Sequence, residues 1–273
     1  MTDDPLYELV DTVHGRMLVN PRDVYIGAAL KEYGEAMFTE WTFLKQLIRR
    51  GDNVMDVGAN IGVHTLAFAK EIGPEGAVWA FEMQNAVFQN LCANMALNDL
   101  ENVFAYQIAV GSETGAMHVN NLNMRKRNNF GGISIDKIKN ETAMQKIFMH
   151  KLDDICGHAQ IRLIKIDVEG MELDALKGAE NIIQTSRPYL YVENDRKDKE
   201  KDLVQYILDM DYRVWIHWPY LFNPNNARGI KENSIGNFIS KNIFCQPKEM
   251  AKPVGGLEEI TDVQQLDEYP KTA

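Results

Sequence analysis

The chain has 273 residues, of which 25% are charged and 45% are hydrophobic, and its formal net charge at pH 7 is −10. These proportions are typical of a globular protein and exclude an intrinsically disordered chain. An acidic protein is also a poor match for nucleic acid or an anionic membrane surface, because phosphates are neutralised by clustered Lys and Arg. We therefore expect no nucleic-acid partner.

The cysteines and the N-terminal residues indicate where the protein works. Cys92, Cys156 and Cys245 are scattered without a C-x-x-C pair, which argues against disulfides and a structural zinc site. The first residues are acidic and lack the basic and apolar regions of a secretory signal. No run of about 18 apolar residues predicts a transmembrane helix. We expect a cytoplasmic protein without a membrane span.

Residues 1–50 are predicted to form an N-terminal extension that lies as a lid over the cofactor site. Within it, residues 39–50 show helical periodicity, with an apolar face made by Phe43, Leu44, Leu47 and Ile48. Glu40 and Trp41 on this helix could touch a ligand. Plain packing of the helix against the sheet explains these two residues better.

The stretch from Asn53 to Thr65 combines a strand, a tight turn and the start of a helix. Its first half is apolar and β-branched from Val54 to Val57, which suits a buried parallel strand. The turn that follows is rich in small residues, and a helix with an apolar face begins after it. Backbone N–H groups are exposed at the start of such a helix, so this crossover suits a phosphate or nucleoside ligand.

The spacing of the small residues distinguishes between two ligands. The dinucleotide fingerprint G-x-G-x-x-G fails at two positions, which hold Asn60 and Val63. The pattern acid-x-Gly-x-Gly-x-Gly is met by Asp56, Gly58, Asn60 and Gly62, since Asn adopts left-handed backbone conformations more readily than other non-glycine residues. This pattern is that of the S-adenosylmethionine (SAM) turn of class I methyltransferases. A nicotinamide-dependent oxidoreductase and a turn without a ligand are the alternatives.

The next two predicted strands supply the rest of a nucleoside site. Glu82 follows the apolar strand Ala77–Phe81, and an acid at this position accepts hydrogen bonds from the hydroxyls of a ribose. The third strand is predicted over residues 103–110, and its end near Ala109 is where a doubly wound sheet places an adenine ring. The Asn- and Gly-rich residues 121–135 then predict a loop that either covers the site or is an inert surface loop.

A second group of acidic residues follows two later strands. Asp167 and Glu169 lie at the end of the apolar strand that begins at Leu163, next to the edge where α/β sheets bind ligands. Capping of the following helix explains Glu169 better than Asp167, which lies inside the apolar run. Glu193 ends the next strand. His217 ends a later strand and is either a structural hydrogen-bonding residue or a general base.

The chain resembles the FkbM-type methyltransferase family. The resemblance rests on Asp-Val-Gly-Ala-Asn-Ile-Gly at 56–62, Phe-Glu at 81–82 and Ile-Lys-Ile-Asp-Val-Glu-Gly-x-Glu at 164–172, and it covers about residues 50–195. Leu-Asp-Asp-Ile at 152–155 and Leu-Lys-Gly-Ala at 176–179 match as well, whereas the usual Pro after Phe-Glu is replaced by Met83. The resemblance implies a Rossmann-like α/β fold with helices on both faces of a seven-stranded, mostly parallel sheet of order 3-2-1-4-5-7-6.

By position, the resemblance also implies how the cofactor is held. The turn from Asp56 to Gly62 would hold the methionine end of SAM, Glu82 the ribose and the backbone near Ala109 the adenine, and Asp167 would lie next to the sulfonium. The predicted cofactor-binding residues are Asp56, Gly58, Ala59, Asn60, Gly62, Glu82, Met83, Ala109 and Asp167.

Methyl transfer to an alcohol needs a base or a metal ion that lowers the pKa of the hydroxyl. Metal-dependent catechol-type O-methyltransferases resemble the arrangement of acids here, so Asp167, Glu193 and Asn194 are candidate ligands of Mg²⁺. Without a metal ion, Glu193 or His217 is the candidate base. The predicted catalytic residues are therefore Asp167, Glu193 and His217.

The predicted organisation is an extension over residues 1–50, a SAM-binding methyltransferase domain over 51–247 and a polar, acidic surface tail over 248–273. The expected activity is O-methylation of a small molecule, a sugar or a natural product, with a small-molecule or glycan acceptor as the partner. A SAM-binding protein without catalysis is an alternative. The sequence indicates neither the acceptor nor the oligomeric state.

Overall fold

The computed structural model describes residues 4–132, 144–157, 159–250 and 252–268. Its strands are β1 (Glu8–Thr12), β2 (Gly15–Val19), β3 (Asn53–Val57), β4 (Ala77–Phe81), β5 (Val103–Tyr106), β6 (Ala109–Val110), β7 (Gly115–Asn120), β8 (Met144–His150), β9 (Leu163–Ile166), β10 (Tyr189–Glu193), β11 (Tyr212–His217), β12 (Asn242–Pro247) and β13 (Glu258–Ile260). Its α-helices are α1 (Ile26–Tyr33), α2 (Phe38–Leu44), α3 (Val63–Ile72), α4 (Asn85–Leu97), α5 (Leu152–Cys156), α6 (Glu172–Lys177), α7 (Glu180–Ser186) and α8 (Glu200–Asp209).

A sheet of eight strands in the order β13-β11-β12-β10-β9-β3-β4-β5 forms the centre of the molecule. The pairs among β10, β9, β3, β4 and β5 are parallel, whereas β12, β11 and β13 pair antiparallel at one edge. The predicted α/β fold with a mostly parallel sheet is therefore confirmed. Among the described residues this sheet has one strand more than the seven predicted, because β13 pairs with the outer side of β11.

The eighth strand belongs to the segment that the sequence predicts to be a surface tail. Ile260 pairs with Val214 of β11 and is buried, and Leu266 in the 3₁₀ helix Val263–Glu268 is fully buried. Isolated apolar residues in a polar segment produce no recognisable strand pattern. Residues 258–266 therefore differ from the prediction, because tertiary pairing gives these few apolar side chains a place in the core.

Side chains of the central strands alternate between two hydrophobic layers. Val54 of β3 packs with α2 and α3 through Trp41 and Phe68, whereas its neighbour Met55 packs with α6 to α8 on the opposite face. Burial on both faces explains why these strands read as continuous apolar runs. Within the described residues, none of the helices has the length and hydrophobicity needed to span a bilayer.

The N-terminal segment packs firmly on this core. The β1–β2 hairpin docks on α4, where Asn94 Nδ2 donates to the Leu18 carbonyl and Asn94 Oδ1 accepts from the Leu18 N–H at 2.7 Å. The helix predicted over residues 39–50 is shorter than expected, since α2 ends at Leu44.

The predicted third strand is divided between two sheets. Its first part is β5 at the edge of the main sheet, while Ala109–Val110 forms β6 and pairs with β8 in a small sheet of order β6-β8-β7. This break turns Ala109 towards the end of β4. The last part of the predicted loop, residues 133–135, lies outside the described residues.

Candidate functional site

A large cavity opens at the carboxyl ends of β3, β4, β9 and β10. Its empty volume is about 1340 Å³ when the space at the open mouth is counted. Its lining combines many apolar side chains with a few charged and polar ones, as is typical of small-molecule sites. Carboxyl ends of parallel strands are also where α/β sheets bind their ligands.

The turn after β3 forms one wall of this cavity. Gly58 has a φ of 82°, and a Cβ atom there would lie 1.7 Å from the carbonyl oxygen of Asp167. Asn60 is left-handed as the sequence analysis expects, with a φ of 50°. Unlike Gly58 and Asn60, Gly62 does not line the cavity, because it packs against Leu91 and Met95 of α4. Gly58 thus allows the turn to approach β9, and Gly62 allows α3 to approach α4.

Asp56 and Lys165 form a buried charged pair on the cavity floor. Asp56 Oδ2 accepts a hydrogen bond of 2.6 Å from Thr65 Oγ1, while its buried Oδ1 has no hydrogen-bond partner among the described residues. Lys165 Nζ lies 3.9 Å from this Oδ1 and 3.2 Å from Asp167 Oδ2. Burial opposes the charge of Lys165, yet Asp167 and Asp56 raise its pKa above the ordinary value. Lys165 is therefore a permanent cation that aligns both acids.

Glu82 lies in the cavity wall at the end of β4. Its carboxylate accepts hydrogen bonds from the backbone N–H groups of Asn60 at 3.1 Å and of Gln84 at 2.7 Å. Burial raises the pKa of Glu82 to about 7. Each carboxylate oxygen keeps a lone pair that could accept a further hydrogen bond from a ligand hydroxyl. The other predicted cofactor-binding residues in this part of the wall are Ala59, Met83 and Ala109.

Three carboxylates meet on the opposite side of the cavity. Asp167, Glu169 and Glu193 can each offer one oxygen, and these oxygens lie within 4.8 Å of one another. Burial and the charge of Asp167 raise the pKa of Glu169 to about 7, although Arg196 opposes this at 2.5 Å. Burial and the neighbouring acids raise the pKa of Glu193 well above its usual range. The buried Glu193 Oε2 has no hydrogen-bond partner among the described residues.

Besides Gly62, the predicted site residues Asn194 and His217 lie outside the cavity. Asn194 is buried and does not line the cavity, because neighbouring strand residues point to opposite faces and Glu193 takes the cavity face. The three side chains that converge are therefore those of Asp167, Glu169 and Glu193, not the predicted set with Asn194.

His217 is also directed away from the carboxylates. Its Nδ1 lies 2.8 Å from the hydroxyl of Tyr191, and its ring packs against Phe43 with centroids 4.8 Å apart. The Tyr191 hydroxyl in turn accepts a hydrogen bond from Asn242 Nδ2. His217 does not line the cavity, so the structure supports the structural interpretation of this residue.

A second buried pair, Glu40 and His64, lines the cavity. The sequence named Glu40 as a residue that could touch a ligand, whereas His64 was not predicted as part of the site. Glu40 Oε1 lies 2.9 Å from His64 Nε2, and both side chains are almost fully buried. Burial opposes the charge of Glu40, yet His64 and Lys165 bring its pKa below the ordinary value. The sequence contained two signals for this pair, because Glu40 is an acid among the apolar residues of a helix and His64 follows the turn. Their pairing joins α2 to α3 across the cavity.

The mouth of the cavity is mostly apolar and comes from three separate segments. Tyr25, Ile26 and Met37 come from the N-terminal extension, Phe130 from the loop after β7, and Pro219, Tyr220, Leu221 and Phe238 from the connection between β11 and β12. The described part of the Asn- and Gly-rich loop thus reaches the cavity. The other mouth residues come from segments that are far apart along the chain.

Comparisons with known proteins agree with this geometry. A profile of the methyltransferase FkbM domain matches residues 56–214, which include the turn, Glu82 and the three carboxylates. The chain is 29% identical over 146 residues to Methyltransferase 1 of Beauveria bassiana (strain ARSEF 2860), covering 47% of this chain and 58% of the relative. It is 29% identical over 156 residues to Methyltransferase sdnD of Sordaria araneosa, covering 46% and 60%. The matches thus span about three-fifths of these relatives.

A solved structure shares the fold. The crystal structure of the methyltransferase FkbM from Methylobacillus flagellatus KT superposes with a TM-score of 0.50 at 20% identity, covering 77% of this chain and 48% of that chain. At this identity the likeness concerns the arrangement of helices and strands.

Proposed function

This chain belongs to the methyltransferase FkbM domain family, and on that premise we propose that it transfers the methyl group of SAM to a hydroxyl oxygen of a small molecule. One observation carries the proposal: a single cavity joins the turn and Glu82 on one side to the carboxylates of Asp167, Glu169 and Glu193 on the other. A nucleoside cofactor and an acceptor would therefore meet in one cavity.

The first side of the cavity fits the cofactor. The carboxylate of Glu82 would accept hydrogen bonds from the ribose hydroxyls, and the cavity wall at Ala109 would lie against the adenine. The unpartnered Asp56 Oδ1 would accept a hydrogen bond at the methionine end. Gly58 leaves room for the backbone to approach this ligand. Each of these groups is thus available for a contact that the chain itself does not make.

The second side fits activation of a hydroxyl group. SAM supplies a methyl group on a positively charged sulfur, and an oxygen nucleophile attacks the methyl carbon in line with the departing sulfur. Glu193 would accept the hydroxyl proton as the C–O bond forms and the C–S bond breaks, so the products are the methyl ether and S-adenosylhomocysteine (SAH). A raised pKa makes ionised Glu193 a stronger base than an exposed carboxylate. Asp167, held by Lys165, would lie next to the sulfonium.

A divalent cation is the alternative means of activating the hydroxyl group. Mg²⁺ prefers oxygen ligands, and the oxygens of Asp167, Glu169 and Glu193 are close enough together to offer three of them. Such an ion would bind the acceptor oxygen and lower the pKa of its hydroxyl group. Both means require Glu193 to be ionised, so its raised pKa does not favour one over the other. We propose Glu193 as the base because its buried Oε2 has no hydrogen-bond partner among the described residues and can accept a proton directly.

The segments of the chain would divide this work as the sequence suggests. Residues 51–247 would form the catalytic domain, and the N-terminal extension would act as a lid, since Tyr25, Ile26, Met37 and Glu40 line the cavity. Residues 248–268 would complete the sheet edge rather than contact substrate.

Two measurements test the proposal. Calorimetric titration of the full chain with SAM and SAH should show binding in the micromolar range, and SAH should form when hydroxyl-bearing acceptors are supplied. Glu193→Gln should abolish most turnover and leave SAH binding intact, whereas His217→Phe should keep both. Absence of SAM binding by the folded protein would refute the cofactor assignment. Binding without turnover on any acceptor would instead favour a non-catalytic SAM-binding protein.

The metal alternative is tested in the same assay. If Glu193 is the base, EDTA leaves the rate unchanged. If EDTA abolishes the activity and Mg²⁺ restores it, Glu193 is a metal ligand and not the base.

A further inference from the structure

The outer part of the cavity differs in chemistry from its floor. Charged side chains lie at the carboxyl ends of the strands, whereas the mouth of the cavity is mostly apolar. We define the apolar wall as Tyr25, Ile26, Phe130, Tyr220, Leu221 and Phe238. The apolar wall is therefore the part of the cavity that an acceptor molecule would contact.

Part of the apolar wall is open to solvent. Tyr220 is 52% exposed and Phe238 is 37% exposed, although both side chains line the cavity. The rings of Phe238 and Tyr25 lie 5.0 Å apart, so they present a joined aromatic surface. Single exposed apolar residues are common on protein surfaces. Aromatic residues gathered at the mouth of a deep cavity are instead typical of small-molecule sites, where apolar walls hold the skeleton of a ligand.

The charges of the described lining residues disfavour an anionic acceptor. Among the described lining residues, His64 and Lys165 are the only side chains that can carry a positive charge, and each already faces an acid. A carboxylate or phosphate on the acceptor would find no free cation there. It would also lie near the three carboxylates at the ends of β9 and β10.

The apolar wall also disfavours a sugar. A sugar presents several hydroxyl groups, and each one held against aliphatic or aromatic carbon would lose its hydrogen bond to water without replacement. Of the uncharged polar side chains among the described lining residues, Asn60, Gln84 and Asn129 already hydrogen-bond within the chain, and the others are Ser240, Tyr25 and Tyr220. These three hydroxyl groups are fewer than the hydroxyl groups of a pyranose ring.

We propose that the acceptor is an uncharged molecule that carries its hydroxyl group on a largely apolar ring skeleton. The apolar wall holds the skeleton between Tyr25, Tyr220 and Phe238, and the hydroxyl group points inward to Glu193. This assignment rests on the proposed methyltransferase function, and it names the class of acceptor within it.

The test uses the full chain saturated with SAH and three probes titrated by calorimetry. The probes are 2-naphthol, the same ring with a carboxylate (6-hydroxy-2-naphthoate), and methyl β-glucoside. We expect 2-naphthol to bind at least tenfold more tightly than either of the other two. Equal or tighter binding of the naphthoate or the glucoside, or no binding of 2-naphthol, would overturn the proposal.

Variants connect this binding to the apolar wall. Removing one aromatic ring should weaken 2-naphthol binding about tenfold in Tyr220→Ala and in Phe238→Ala, while the affinity for SAH stays unchanged. Phe148→Ala is the matched control, because Phe148 is 58% exposed on β8 and does not line the cavity. Wild-type 2-naphthol affinity in both wall variants would contradict the assignment.

SAH binding distinguishes failure of the methyltransferase function from failure of the acceptor class. If SAH does not bind, the proposed methyltransferase function falls, and the acceptor class falls with it. If SAH binds and 2-naphthol does not, the cofactor site stands and only the acceptor class is wrong.

Discussion

Binding of SAH should strengthen as the pH rises from about 6 to about 8, because Glu82 must be ionised to accept hydrogen bonds from both ribose hydroxyls. Burial raises the pKa of this carboxyl to about 7. If only the ionised form binds, the apparent Kd scales as 1 + 10^(pKa − pH), which is about 11 at pH 6 and about 1.1 at pH 8. The expected gain in affinity is therefore about tenfold.

Calorimetric titrations with SAH across this pH range measure the effect. Glu82→Gln should weaken binding at pH 8 and remove most of the pH dependence, since an amide does not titrate. Glu169 is the necessary control, because its pKa is also raised to about 7 within the same cavity. Glu169→Gln should keep the tenfold slope. A flat wild-type profile, or a slope that persists in Glu82→Gln, would refute the role of Glu82.

The same group makes the ligand-free protein less stable at higher pH. Glu82 binds its proton more tightly in the folded state, with a pKa of about 7, than in the unfolded chain, where 4.5 is the reference value. The contribution of Glu82 to the free energy of unfolding is therefore fully present below about pH 4.5 and is lost as the pH rises through about 7. The difference of 2.5 pKa units corresponds to about 3 kcal/mol. Urea unfolding at several pH values should show this slope in the wild type and a smaller one in Glu82→Gln.

Three substitutions test other parts of the site. Gly58→Ala should destabilise the fold by several kcal/mol in urea unfolding, because its Cβ would collide with the carbonyl oxygen of Asp167. Gly51→Ala is the control, since Gly51 has the same φ of 82° and its Cβ would meet nothing within 4 Å, and this variant should lose only about 1 kcal/mol. Lys165→Met should lower the free energy of unfolding by about 3–5 kcal/mol, because it leaves buried acids without a counter-charge. The control Lys201→Met replaces a half-exposed lysine and should lower it by less than about 1 kcal/mol. Equal losses in the two variants would contradict this explanation. His217→Phe should lower the free energy of unfolding by about 1–3 kcal/mol through the lost tyrosine hydrogen bond and leave SAH affinity unchanged; a large loss of affinity would return this residue to the site.

Local features of the sequence predicted the cofactor side of the cavity. The left-handed Asn60 and the close approach at Gly58 depend on the conformations that these residues can adopt, and such preferences act over a few neighbours. Glu82 was found because an acid ended an apolar strand. Strand alternation also contained the information that Glu193 and Asn194 point apart, although the predicted metal site did not use it.

The sequence by itself therefore determined the strand, the turn and the acids at the strand ends, since each is a property of a short segment. Only the tertiary structure decided which distant side chains share the cavity. It paired Glu40 with His64, directed His217 towards Tyr191, and brought Tyr25, Tyr220 and Phe238 to one mouth. These contacts join residues far apart along the chain, so no local pattern specifies them. The packing of the helices, the extension and the β11–β12 connection against the sheet does.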